Sequence, residues 1–133
     1  MADELRVPIN SDADIVAARQ KGRALAEQAG FSGSDLALIA TAISELARNI
    51  VEFAGQGEVI LSPCHQGDRR GIKIVARDEG PGIADVSLAL QDGYSTKGGL
   101  GLGLPGAKRL MDEFDIQSEV GKGTTVTARK WKH

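Results

Sequence analysis

The segment Gly98-Gly99-Leu100-Gly101-Leu102-Gly103-Leu104-Pro105-Gly106 constrains this chain more than any other. Six glycines fall between Gly93 and Gly106, out of seventeen in 133 residues. That total is about twice the usual share of glycine. A glycine inside a helix costs about 1 kcal/mol relative to alanine. Several in a row, directly before the helix-like Ala107 to Met111, therefore need a compensating role. Exposed backbone N–H groups beside a helix N-terminus make an anion site suited to phosphates. The plain alternative is a flexible loop. Two better-known phosphate loops do not fit. Gly101 to Gly106 formally reads G-x-G-x-x-G, but a polar stretch, Asp92 to Lys97, precedes it where a dinucleotide site needs a strand. The pattern G-x-x-x-x-G-K-[ST] is absent.

The strongest periodic signal precedes this segment. Leu36, Ile39, Ala40, Ile43, Leu46, Ala47 and Ile50 follow the three-and-four spacing of one buried helix face. Ser32 or Ser34 is the expected cap, and the helix ends near Ala54 and Gly55. An earlier helix is expected from Ser11 or Asp12 to about Ala29, with Gly30 as its stop. Leu5 to Ile9 reads as a strand, and Pro8 assigns it to a sheet edge. Glu58 to Cys64 and Gly71 to Arg77 read as two strands separated by a polar turn. In the second, Ile72, Ile74 and Ala76 alternate with Lys73, Val75 and Arg77, as in a half-buried strand. A short helix over Val86 to Leu90 is possible. A helix begins within the glycine segment and runs to Met111, and strands follow at Phe114 to Glu119 and Thr124 to Trp131. No repeat or linker interrupts residues 1–133, so a single domain is expected. Early helices and sequence-neighbour strand pairing predict an α+β two-layer sandwich, with helices on one face of a mixed, mainly antiparallel sheet.

Composition narrows the function. The net charge is -2, which gives no basic excess to hold a nucleic-acid backbone. No apolar run is long enough to span a bilayer, so no membrane role is expected. The single cysteine, Cys64, cannot form an internal disulfide, and the start MADELRVP lacks the features of a signal peptide. These points predict a cytoplasmic protein.

Three further patterns carry chemistry. Glu45 and Asn49 are one turn apart on the second helix, roughly opposite its apolar stripe. Taken alone they read as a solvated face. With a ligand over the helix, Asn49 can offer its carbonyl oxygen to Mg²⁺ and Glu45 can take a proton from an attacking hydroxyl. Asp78-Glu79-Gly80-Pro81-Gly82-Ile83 follows a strand. It is either a plain turn or a site where Asp78 accepts from an exocyclic amine while a flat base lies on the glycines. Gly121-Lys122-Gly123-Thr124 reads equally as a hairpin turn.

Taken in order, these four pieces resemble the N, G1, G2 and G3 boxes of the GHKL (Bergerat-fold) ATPases, over about Val7 to Lys130. The resemblance implies a Bergerat-type sandwich that binds ATP with Mg²⁺. It makes Glu45 the general base and Asn49 the Mg²⁺ ligand. Asp78 reads the adenine amino group, and Gly80 and Gly82 shape the base pocket. Gly98, Gly99, Leu100, Gly101, Leu102 and Gly103 wrap the phosphates, and Thr124 supports the adenine end. The finer resemblance is to the RsbT-type kinases, carried by AISELARN, DEGPGI, DGYSTKGGLGLGLPGAKRLMDEF and GKGT. It implies a serine/threonine protein kinase that phosphorylates STAS-domain scaffold proteins and, once released, activates a PP2C-type phosphatase. Two other readings share these boxes: an anti-sigma factor kinase that sequesters a sigma factor, and a non-catalytic nucleotide-binding switch. The short segment between Gly82 and Gly98 argues against ATP-driven dimer clamping. The lack of a phosphoacceptor-histidine helix pair argues against a histidine kinase.

Overall fold

The computed structural model describes residues 4–83 and 103–132. Eight elements follow in chain order: β1 (Leu5–Ile9), α1 (Asp12–Gln28), α2 (Ser34–Phe53), β2 (Gly57–Gln66), β3 (Arg69–Asp78), α3 (Gly103–Leu110), β4 (Glu113–Glu119) and β5 (Gly123–Trp131). The strands form one sheet in the order β1-β2-β3-β5-β4. All four pairings are antiparallel, so the mixed character expected from the sequence is not found among the described residues. Pro8 lies on β1, an edge strand, the position in a sheet that tolerates a residue without an N–H. The possible helix over Val86 to Leu90 lies outside the described residues.

The helix ends follow local chemistry. At the start of α1, the Asp14 carboxylate accepts from the Asn10 backbone N–H at 2.8 Å. Ser11 occupies the N-cap position, but its side chain makes no capping bond. The chain turns out of α1 at Gly30, with Phe31 N–H donating to Ala26 O at 3.0 Å, and Phe31 then buries its ring. The N-cap of α2 is Gly33, rather than Ser32 or Ser34, and it has φ +56°.

The core lies between the sheet and the helices. Val7, Ile9, Val59, Leu61, Ile72, Ile74, Ala76, Val126 and Ala128 point inward from the strands, meeting Ile39, Ile43, Leu46 and Ile50 of α2. The alternation read in β3 holds: Ile72, Ile74 and Ala76 are buried, while Lys73 and Val75 are half-buried and Arg77 is exposed. α1 and α3 both pack against α2. On the other sheet face, Trp131 is buried by close neighbours. Its indole N–H donates to Glu113 Oε2 at 2.8 Å, and the Arg69 guanidinium lies 4.4 Å from the ring centre. Cys64 is partly covered on this face. Burial pushes its thiol above the ordinary range, Arg129 opposes that shift, and Glu113 adds to it.

Ile43 is fully buried where α2 meets the sheet, whereas Val16 of α1 is 43% exposed. Ile43→Ala is expected to cost about 2–5 kcal/mol of stability, and Val16→Ala under about 0.5 kcal/mol. Urea unfolding of the two variants checks this. Equal losses would contradict the assigned orientation of the helices.

Candidate nucleotide site

Strand register gathers the polar residues into one line. Gly57 pairs with Asp78, Asp78 with Thr124, and Thr124 with Ser118. Directly paired residues share a sheet face. Ala76 and Val126 are core residues two positions from Asp78 and Thr124, so this row faces the helix layer. A carboxylate and two hydroxyls thus stand side by side at one end of the sheet.

The turn after β3 is fastened at several points. Gly80 N–H donates to Asp78 Oδ1 at 2.9 Å, which holds the carboxylate against the turn. Gly121 N–H donates to Pro81 O at 2.8 Å, and Ile83 N–H donates to Ser118 Oγ at 2.7 Å. Asp78-Glu79-Gly80-Pro81-Gly82-Ile83 is therefore tied to the β4–β5 hairpin. Two glycines permit this. Gly82 has φ +78°, and a Cβ there would sit 2.3 Å from Glu119 O. Gly123 has φ +109°, and a Cβ there would sit 2.1 Å from Asp78 O. A side chain at either position would meet both strain and backbone atoms. Gly80 closes the other side, where its backbone lies against Ala54 at the end of α2. The helix bearing Asn49 and the turn bearing Asp78 thus converge.

The structure corrects one reading. Glu45 is only 6% exposed, so it is not part of a solvated face. Helix α2 packs against α1 and α3 as well as against the sheet, so more than its apolar stripe is covered. Asn49 is half-buried and remains one turn from Glu45 on the same helix. Thr124 is buried at 6% exposure, beyond what a bare hairpin turn requires, and Asp78, Gly80 and Gly82 are half-buried. Gly103 begins α3. Gly98, Gly99, Leu100, Gly101 and Leu102 lie outside the described residues. Sequence reasoning missed Ser118. Its signal is present in the alternation of β4, where Phe114, Ile116 and Ser118 share the inward face and only the third is polar. No group of three or more His, Cys, Asp or Glu side chains among the described residues can hold a metal ion. No described helix is long and apolar enough to cross a membrane.

Comparison with known proteins agrees with this geometry. The histidine kinase-like ATPase domain matches residues 9–130. The serine/threonine-protein kinase RsbT of Bacillus subtilis (strain 168) is 52% identical over 131 residues, covering 98% of each chain. The anti-sigma F factor of Thermoanaerobacter sp. (strain X514) is 30% identical over 120 residues, which is 86% of this chain and 82% of that one. In fold, the chain matches the histidine kinase domain of a blue-light activated histidine kinase from Erythrobacter litoralis EL346. The TM-score is 0.52 at 17% identity, over 90% of this chain and 59% of that one. A fastened Asp78 turn, a paired Thr124 and near-full-length similarity to RsbT agree: the chain belongs to the histidine kinase-like ATPase family, among its RsbT-type serine/threonine kinases.

Proposed function

We propose that this kinase transfers the γ-phosphoryl group of ATP to a serine or threonine of STAS-domain partner proteins. It does so in the cytoplasm, in a bacterial partner-switching stress response. On release from those partners it activates a PP2C-type phosphatase. The observation that supports a nucleotide site most is the row Asp78–Thr124–Ser118, held on the helix side of the sheet beside the end of α2. In this reading Asp78 accepts a hydrogen from the adenine amino group. Gly80 and Gly82 let the base approach the backbone, and Thr124 completes the adenine end. The segment from Gly98 to Gly103 wraps the phosphates with backbone N–H groups.

The residues present suit a magnesium nucleotide better than a protein-only metal cage. Mg²⁺ is usually held by one or two protein oxygens plus substrate phosphates. Asn49, half-buried on α2, supplies one amide oxygen that does not titrate. When bound, Mg²⁺ neutralises phosphate charge and orients the chain of phosphates. Glu45 then takes the proton of the attacking hydroxyl. The new O–P bond forms as the bond from the γ-phosphorus to the β-phosphate oxygen breaks, and ADP leaves. Transfer of this kind depends mainly on positioning and charge neutralisation, which suits a small domain. The partners are proteins, not nucleic acid or membrane. Higher identity and coverage toward RsbT than toward the anti-sigma F factor support the phosphatase-activating reading over sigma-factor sequestration. Recovery of a sigma factor in a pull-down would reverse that preference.

Asp78→Asn is expected to weaken ATP binding by about 1.5–3 kcal/mol, because an amide presents its own N–H to the adenine amine. Calorimetry with unchanged affinity would remove Asp78 from the base pocket. Glu45→Ala, and the shape-preserving Glu45→Gln, are expected to slow phosphoryl transfer by about 10²–10⁴ while keeping Mg-ATP binding. Asn49→Ala should weaken binding and transfer together. The assay is label transfer from γ-labelled ATP to a STAS-domain protein. A Glu45→Gln protein transferring at the wild-type rate would overturn the general-base assignment, and a wild type that binds ATP but labels no STAS protein would favour the non-catalytic switch.

A further inference from the structure

We propose that Ser118 is a positioning residue that sets purine selectivity by holding the proton of Thr124. The inference rests on the adenine site proposed above and deepens it.

Ser118 Oγ has three neighbours within hydrogen-bond distance: Ile83 N at 2.7 Å, Gly123 O at 3.1 Å and Thr124 Oγ1 at 2.8 Å. A serine hydroxyl has one hydrogen and two lone pairs. The Ile83 amide can only donate and the Gly123 carbonyl can only accept. If all three bonds form, the Ser118 hydrogen goes to Gly123 O, and one lone pair takes the Ile83 N–H. The remaining lone pair takes the hydrogen of Thr124. This is the one assignment that satisfies every partner. The opposite direction, Ser118 to Thr124, leaves Ser118 no hydrogen for Gly123 O.

The consequence falls on the base. With its hydrogen given to Ser118, Thr124 presents only lone pairs to a ligand. Its neighbour across the β3–β5 ladder, Asp78, is a carboxylate whose Oδ1 already holds Gly80 N–H. The two residues form a row of acceptors with no donor. That row suits a 6-aminopurine, whose edge carries amino hydrogens, directly or through a water. It opposes a 6-oxopurine, whose oxygen would face lone pairs in the same pose. A polar site built for one hydrogen-bonding pattern rejects the analogue that leaves it unmatched. Removing Ser118 frees the Thr124 hydroxyl to rotate and donate, and the row then tolerates an oxygen.

The test compares ATP with inosine triphosphate, which differs at the 6-position edge and shares the ribose and phosphates. Calorimetric affinities are measured for the wild type, Ser118→Ala, Thr124→Val and Asp78→Asn, each with Mg²⁺. Ser118→Ala is expected to reduce the ATP preference by roughly tenfold, the equivalent of one unmatched hydrogen bond. Thr124→Val, which keeps the shape without the hydroxyl, is expected to lose ATP affinity and preference together. A loosened turn would weaken both nucleotides equally and leave the ratio alone, so the ratio separates selectivity from general damage. If Ser118→Ala keeps the wild-type ratio while Asp78→Asn loses it, the adenine site stands and the role of Ser118 is overturned. If Asp78→Asn also keeps the ratio, the adenine site itself falls, and this inference with it.

Discussion

The structure depends on the register of the β3–β5 ladder. It sets Asp78 opposite Thr124 and Ala76 opposite Val126, and so decides which side of the sheet each faces. A slip of β5 by one residue against β3 would turn Thr124 away from the helices and push Thr125 into the core. Buried Ile72, Ile74, Val126 and Ala128 hold the register by filling the inner face. At its end, Gly123 allows the closest backbone approach, against Asp78 O.

That register links distant parts of the chain. Thr124 lies 46 positions after Asp78, and the β4–β5 turn brings Ser118 back beside both. The turn after β3 is then held on three sides, by the end of α2, the β4–β5 turn and Ser118. Rigid placement is what a nucleotide-binding kinase of this size requires. Few side chains share the chemistry, and a misplacement of about 1 Å can cost catalysis heavily. α2 contributes twice, with one face filling the core and Glu45 and Asn49 carried toward the proposed phosphate end.

The sequence made much of this visible where periodicity and turn chemistry agree. The stripe of α2, the alternation of β3, Gly30 as the stop of α1 and Pro8 on an edge strand all follow from local rules. Other features do not follow from local rules. Glu45 is opposite the apolar stripe and is nonetheless buried, which the local pattern of α2 does not encode. The start of α2 at Gly33 replaces two serines that equally fit a cap. Ser118 looked like an ordinary strand residue until the register set it beside Thr124. The row Asp78–Thr124–Ser118 joins residues from three strands, and only pairing reveals it.

The claim that this row is the adenine end of a nucleotide site is tested most directly by backbone amide NMR during titration with Mg-ADP. The account predicts the largest shift changes at Gly80, Gly82, Ile83, Ser118 and Thr124, with smaller ones near Asn49, and little change at Ile60, Val75 and Thr127 on the opposite sheet face. Changes concentrated on that opposite face, with Gly80 and Thr124 unmoved at saturation, would contradict it.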